Sequence, residues 1–213
     1  MIPDAKRFTT AEWKLIQQLN TPLKVQRYFN SLAYNWEKDG GTVRSFREVL
    51  KRREAHCLEA ALGAAVILEQ HGYPPLLLSL ESQDLLDHVI YVFKQNGRWG
   101  SIARSRDAGL HGRKAVYRSL RDLALSYFDP FVDFTGRLKG YGLTNLYDLG
   151  NYDWRFSPRR MTRIENHLRA IPHKPIHSSD RRYEKLLARY HQYKKRYPER
   201  SPGYYANRST WMK

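Results

Sequence analysis

The stretch 57-CLEAALGAAVILEQHG-72 constrains this chain more than any other. Between Cys57 and Gln70 only Glu59, Glu69 and Gln70 are strongly polar. As a helix it is apolar nearly all round, has no face to offer water, and belongs inside a domain. Gly63, Ala64 and Ala65 keep it slim, so strands can approach its backbone, and Gly72 suits the left-handed turn that ends such a helix. Cys57, the single cysteine among 213 residues, stands in the first turn.

That position has chemical content. The unpaired N–H groups and the dipole at a helix N-terminus favour an anion, which lowers the pKa of a thiol placed there. The same residue also reads as a small buried hydrophobe, a common fate for free cysteine. A lone cysteine forms no internal disulfide, and the expectation is a reducing cytoplasm. The opening 1-MIPDAKRFTT-10 has no apolar core of a signal peptide, and no run reaches the roughly 18 to 20 apolar residues of a membrane span, so no membrane partner is expected.

The elements around this helix follow from periodicity and punctuation. The spacing predicts helices over 10–20, with Thr10 as cap, and over 22–37, where Pro22 suits the first turn and Leu23, Tyr28, Leu32 and Trp36 share a buried face. Asp39-Gly40-Gly41 breaks the pattern, and Ser45 and Glu48 have capping-box spacing for a helix over 45–54. After Pro74-Pro75 the period shortens: 76–82 and 88–94 read as strands, and Asn96-Gly97 predicts a hairpin returning through 98–105. A two-residue turn pairs Gln95 with Arg98 and, continued, sets His88 opposite Ser105. Residues 115–129 read as helix, 136–152 as irregular, and 157–171 and 179–197 as basic helices separated by 172-PHKPIH-177. Helices, then a hairpin, then helices make an α+β plan: a Cys-bearing helix buried against a small antiparallel sheet, with N- and C-terminal helices.

His88 opens a strand of Val, Ile, Tyr and Phe, where a polar ring asks for a reason. It reads as a general base for Cys57 or as a half-exposed strand-end histidine. His56, beside the thiol, reads as a donor to an oxyanion or as a solvated loop residue.

The order of Cys57 at the head of a buried helix, Gly72-Tyr73-Pro74, a strand, His88 in the next strand 31 residues after the cysteine, an Asn-Gly hairpin and Trp99 resembles the transglutaminase-like superfamily of the papain-like cysteine-enzyme fold. The likeness covers about 45–107. It implies Cys57 as nucleophile and His88 as base, with an Asp on the neighbouring strand orienting the histidine. The place for that Asp, four residues after Trp99, holds Ala103. The expected register puts Ser105 beside His88 instead, with Ser101 and Asp107 as alternatives. A serine hydroxyl fixes a tautomer but stabilises imidazolium less than a carboxylate does. The implied chemistry is acyl transfer through a thioester on an amide, peptide or ester substrate, ended by water or an amine, with no cofactor.

Charge supplies the alternative. The formal net charge is +16, and 151–213 hold 16 Lys and Arg against 5 Asp and Glu, leaving 21 against 16 in 1–150. The expected division is a transglutaminase-like domain over 1–150 and a basic, aromatic extension over 151–213 docked on it. In 181–197 Tyr183, Leu186, Leu187, Tyr190 and Tyr197 form one face and Lys and Arg the other. The alternative function is therefore a non-catalytic chain of the same fold that binds nucleic acid or another polyanion through its C-terminal third. His173 and His177 are separated by prolines and do not predict a metal site. The tail 198–213 reads as lightly docked or poorly ordered.

Overall fold

The computed structural model describes residues 2–38, 40–84, 87–133 and 136–212, so Asp39 of the expected helix break lies outside the described residues. Helices α1 (Thr10–Gln18) and α2 (Pro22–Ser31) lead to a short strand β1 (Ala33–Tyr34), helix α3 (Phe46–Arg52), strand β2 (Glu54–Ala55) and the apolar helix α4 (Cys57–Glu69). Strands β3 (Leu76–Ser82), β4 (His88–Gln95), β5 (Arg98–Ile102) and β6 (Arg113–Tyr117) follow. Helices α5 (Leu120–Leu125) and α6 (Phe128–Phe131), strand β7 (Leu138–Asn145), helix α7 (Thr162–Ala170), strand β8 (Lys174–Pro175) and helix α8 (Asp180–Arg196) complete the chain.

Six strands form one antiparallel sheet in the order β6-β5-β4-β3-β7-β8, while β1 and β2 pair in parallel beside it. The sheet is covered on both faces. Leu77, Val89, Tyr91 and Phe93 pack into the cluster that holds α4, with α2, α3 and α7 around it. Leu78, Leu80, Ile90 and Val92 point the other way, towards α5 and α6. Double burial explains why β4 is buried at six consecutive positions rather than at alternate ones.

Helix α4 is the axis of the first cluster: every residue from Leu58 to Glu69 is buried. Its backbone meets α2 at Gly63, where an added Cβ would lie 2.5 Å from Cζ of Phe29. Beyond Glu69 the chain turns through Gly72, at φ +82°. The hairpin has the expected turn, with Asn96 and Gly97 at φ 49° and 73°, and the expected register, Gln95 on Arg98 through Tyr91 on Ile102.

Several expectations are corrected. The cap of α1 is Thr9, whose hydroxyl accepts from the Glu12 N–H while the Glu12 carboxylate accepts from the Thr9 N–H. Helix α2 stops at Ser31 because Leu32 turns extended and the chain joins β2. Its buried side is Pro22, Val25, Gln26 and Phe29, while Leu23 and Trp36 are exposed. Residues 113–117 form an edge strand rather than the start of a helix. Gly100 lets them close on β5, since a Cβ there would sit 2.9 Å from the Ala115 nitrogen, and Ser119 and Asp122 then cap α5 reciprocally. Residues 138–145, expected to be irregular, form β7. Gly140 and Gly142 weaken its strand pattern but make room for 171–174 against its backbone.

The pairing of β4 with β5 ends at Ile102, short of Ser105. Gln26, fully buried on α2, takes the backbone of Ala103 for itself: its Oε1 accepts from the Ala103 N–H at 3.0 Å and its Nε2 donates to the Ala103 carbonyl at 2.8 Å. Beyond residue 150 the chain still contributes to the main cluster through Trp154, Phe156, Met161, Ile164 and Leu168. Helix α8 buries no residue fully, and the expected stripe from Tyr183 to Tyr197 is half-buried. The tail beyond 198 is firmly seated at its end, where Tyr205, Trp211 and Met212 are buried and Trp211 bridges to Arg113.

Candidate active site

The chain reaches the site by β2, whose last residue, Ala55, is buried and pairs with Tyr34 of β1. His56 then caps α4. Its Nδ1 lies 3.2 Å from the Leu58 nitrogen and accepts that N–H, while the Glu59 carboxylate accepts the His56 N–H at 3.2 Å. This is a capping box with histidine in the place usually held by serine or threonine. Cys57 is therefore the first helical residue. It is partly exposed at the floor of a cleft of about 310 Å³ whose walls include Tyr34, His56, His88, Ser105, Leu110 and Phe131.

His88 comes to the same cleft from the first position of β4. Its side chain is 5 % exposed, packs edge-on against Tyr127 with ring centres 6.1 Å apart, and directs Nε2 at the Leu110 carbonyl, 2.9 Å away. Cys57 lines the same cleft as the rings of His56 and His88, and its thiol interacts with both. Burial works against a thiolate here, but the interactions of the thiol with the His56 and His88 rings outweigh it and hold Cys57 well below the usual thiol range. The phenol of Tyr34 moves the other way: burial, then the neighbouring thiolate, pushes it up to about 12, so it stays neutral.

His56 is buried, not a solvated loop residue. Its Nε2 faces the Thr42 carbonyl at 2.9 Å and lies 3.5 Å from Glu59 Oε1 and 3.7 Å from Glu37 Oε1. Burial alone would lower its pKa. The interaction with the Cys57 thiolate and the charge of Glu59 prevail and raise it to about 9.

The structure thus brings Cys57 and His88 together. Ser105 lines the cleft, but its hydroxyl accepts the Asp107 N–H at 3.2 Å, and its carbonyl faces Nε2 of His111 at 2.9 Å. Ala103 is buried in the second apolar cluster. Ser101 bonds to the Tyr127 hydroxyl and the Arg113 N–H, away from the imidazole. Sequence reasoning missed the Leu110 carbonyl, which no residue type could advertise. It also missed the Glu59 pairing, for which the spacing His56-x-x-Glu59 was a signal. Among the described residues no group of three or more His, Cys, Asp or Glu side chains is placed to hold a metal ion. No described helix is long and apolar enough to cross a membrane.

No family model matches this chain, and no curated protein matches it. Among solved structures, LapG of Legionella pneumophila is similar at a TM-score of 0.41 and 16 % identity, over 70 % of this chain and 90 % of that one. A likeness this slight carries no argument about the site.

Proposed function

We propose that this chain is a cysteine-nucleophile hydrolase of transglutaminase-like plan, acting on an amide or ester bond through an acyl-thioester. The observation that carries the reading is Cys57 at the head of α4, lining one cleft with His88. With Nε2–H donated to the Leu110 carbonyl, the neutral His88 ring keeps its Nδ1 lone pair for the thiol proton. That proton passes from Sγ to Nδ1 to give the thiolate, the sulfur attacks the substrate carbonyl, and the proton then goes to the leaving nitrogen or oxygen. Water adds to the thioester carbonyl, the C–S bond breaks, and the thiol is restored. If an amine takes the place of water, the same site transfers the acyl group. The Cys57 N–H, at the first position of α4 and without a partner within the helix, is the backbone donor for the developing oxyanion.

In this reading the Leu110 carbonyl orients His88 in place of the serine or aspartate expected from sequence. Ser105 shapes the turn that leads towards it. The test is the pH profile of Cys57 alkylation by iodoacetamide. At pH 6 the thiol should react far faster than free cysteine, and His88→Ala should slow it. A panel of peptide and ester substrates should lose all turnover in Cys57→Ala. A thiol that reacts no faster than free cysteine, with an ordinary pH midpoint, would overturn the assignment.

A further inference from the structure

We infer that His56, backed by Glu59, is the charged partner of the Cys57 thiolate, so that the carboxylate–imidazole–thiol arrangement of this site runs through the histidine preceding the cysteine rather than through His88. The inference rests on Cys57 being the nucleophile. It starts from an asymmetry between the two rings. His88 is backed by one carbonyl dipole, that of Leu110, and the strand position that would supply a carboxylate is Ala103. A dipole fixes a tautomer but does little to stabilise imidazolium. His56 has what His88 lacks: Glu59, with no solvent exposure, and Glu37 both flank its Nε2, and the Thr42 carbonyl accepts from the same nitrogen.

The other groups around the ring are consistent with a cation there. Glu59 also accepts from the side chains of Asn35 and Thr42 and from the Arg44 N–H, so it is held in place beside the ring. The Arg44 guanidinium lies 3.8 Å from Glu59 and reduces its pull on His56 without cancelling it, because Arg44 also pairs with Glu54 at 2.7 Å. Tyr34 stays neutral, and His88 lies across the thiol.

The two forms of the His56 ring make different use of Nδ1. In the neutral ring Nδ1 accepts from the Leu58 N–H and caps α4. In the charged ring Nδ1–H donates to the thiolate. His56 therefore stabilises the sulfur as an anion once its proton has passed to Nδ1 of His88, and His88 delivers that proton to the leaving group. The division of labour also explains how the site dispenses with a carboxylate behind His88.

The experiment separates capping from charge. Asparagine is among the best helix N-caps but carries no charge, so His56→Asn keeps the cap and removes the cation. The readout is the pH midpoint of Cys57 alkylation by iodoacetamide, with thiolate absorbance at 240 nm as a second measurement and circular dichroism to confirm folding. The midpoint should rise by a unit or more in His56→Asn, making alkylation at pH 6 roughly tenfold slower. Glu59→Gln, which preserves the capping-box spacing, should raise it by less. If His56→Asn and Glu59→Gln both keep the wild-type midpoint while His88→Ala raises it, the inference fails and the Cys57–His88 reading stands. If wild-type protein itself shows an ordinary thiol midpoint, the underlying reading fails instead.

Discussion

Replacing Arg155 with alanine should destabilise this protein through the far end of the helix that carries Cys57. Glu69, the last residue of α4, is wholly buried, and its carboxylate takes two bonds from Arg155, Nε at 2.6 Å and Nη2 at 2.8 Å. Tyr147 adds a longer contact at 3.5 Å, and the guanidinium lies over the Trp154 ring at 4.1 Å. Removing one partner of a buried pair strands the other charge, at a cost of about 3–5 kcal/mol. For a chain of this length that is roughly 6–20 °C in Tm. The pH dependence gives a second signature. Burial already raises the Glu69 pKa, with Arg155 pulling against it, and without Arg155 the rise is larger. A carboxyl whose folded pKa exceeds its unfolded one contributes stability below the unfolded value and loses it as pH rises through the folded value. The loss in Arg155→Ala should therefore be greater at pH 7 than at pH 5. Paired urea titrations at the two pH values measure both quantities. A loss under about 1 kcal/mol that does not vary with pH would refute the picture of Glu69 as a buried anion.

Two smaller perturbations follow from the same packing. In Gly63→Ala the better helix former contributes about 1 kcal/mol, but the new methyl meets the buried Phe29 ring at 2.5 Å, and overpacking costs about 1–3 kcal/mol. A net loss near 1 kcal/mol should lower the urea midpoint without changing its slope, and a gain in stability would show that α2 and α4 have slack between them. Ser105→Ala should leave the rate and pH midpoint of Cys57 alkylation unchanged, because the hydroxyl serves the Asp107 N–H. A midpoint that moves as far as in His88→Ala would return Ser105 to the role beside the imidazole.

What the sequence made legible is what local physics decides alone. The interior position of α4 follows from its lack of a polar face, and the hairpin register follows from two residues, Asn96 and Gly97, that accept positive φ. The misread segments depend on distant partners. Gly140 and Gly142 depress the strand signal of β7, yet they are small because Ile171, Pro172 and Lys174 press on that backbone. The run from Ala115 to Asp129 has helical spacing, but its first residues pair with β5 across Gly100, and only the Ser119–Asp122 cap marks where the helix begins. In α2 the apolar residues at 23 and 36 suggested a long helix. The chain leaves helical geometry at Leu32 because β1 must reach β2 and lead towards the cap of α4.

The same distinction divides the site. That Cys57 and His88 would share a cleft was legible because each sits at the start of an element whose limits the sequence shows, so their convergence depends only on α4 packing against β4. The third partner was not, because extrapolating a hairpin register assumes that the ladder continues. Gln26, 77 residues away, ends it by bonding both backbone groups of Ala103, which frees 103–111 to loop back and bring the Leu110 carbonyl to the imidazole. An acceptor supplied by the backbone leaves no trace in residue type. The carboxylate absent at Ala103 has a counterpart at Glu59, inside the apolar helix, where an ionisable residue three places after a histidine is costly to bury unless it has work there.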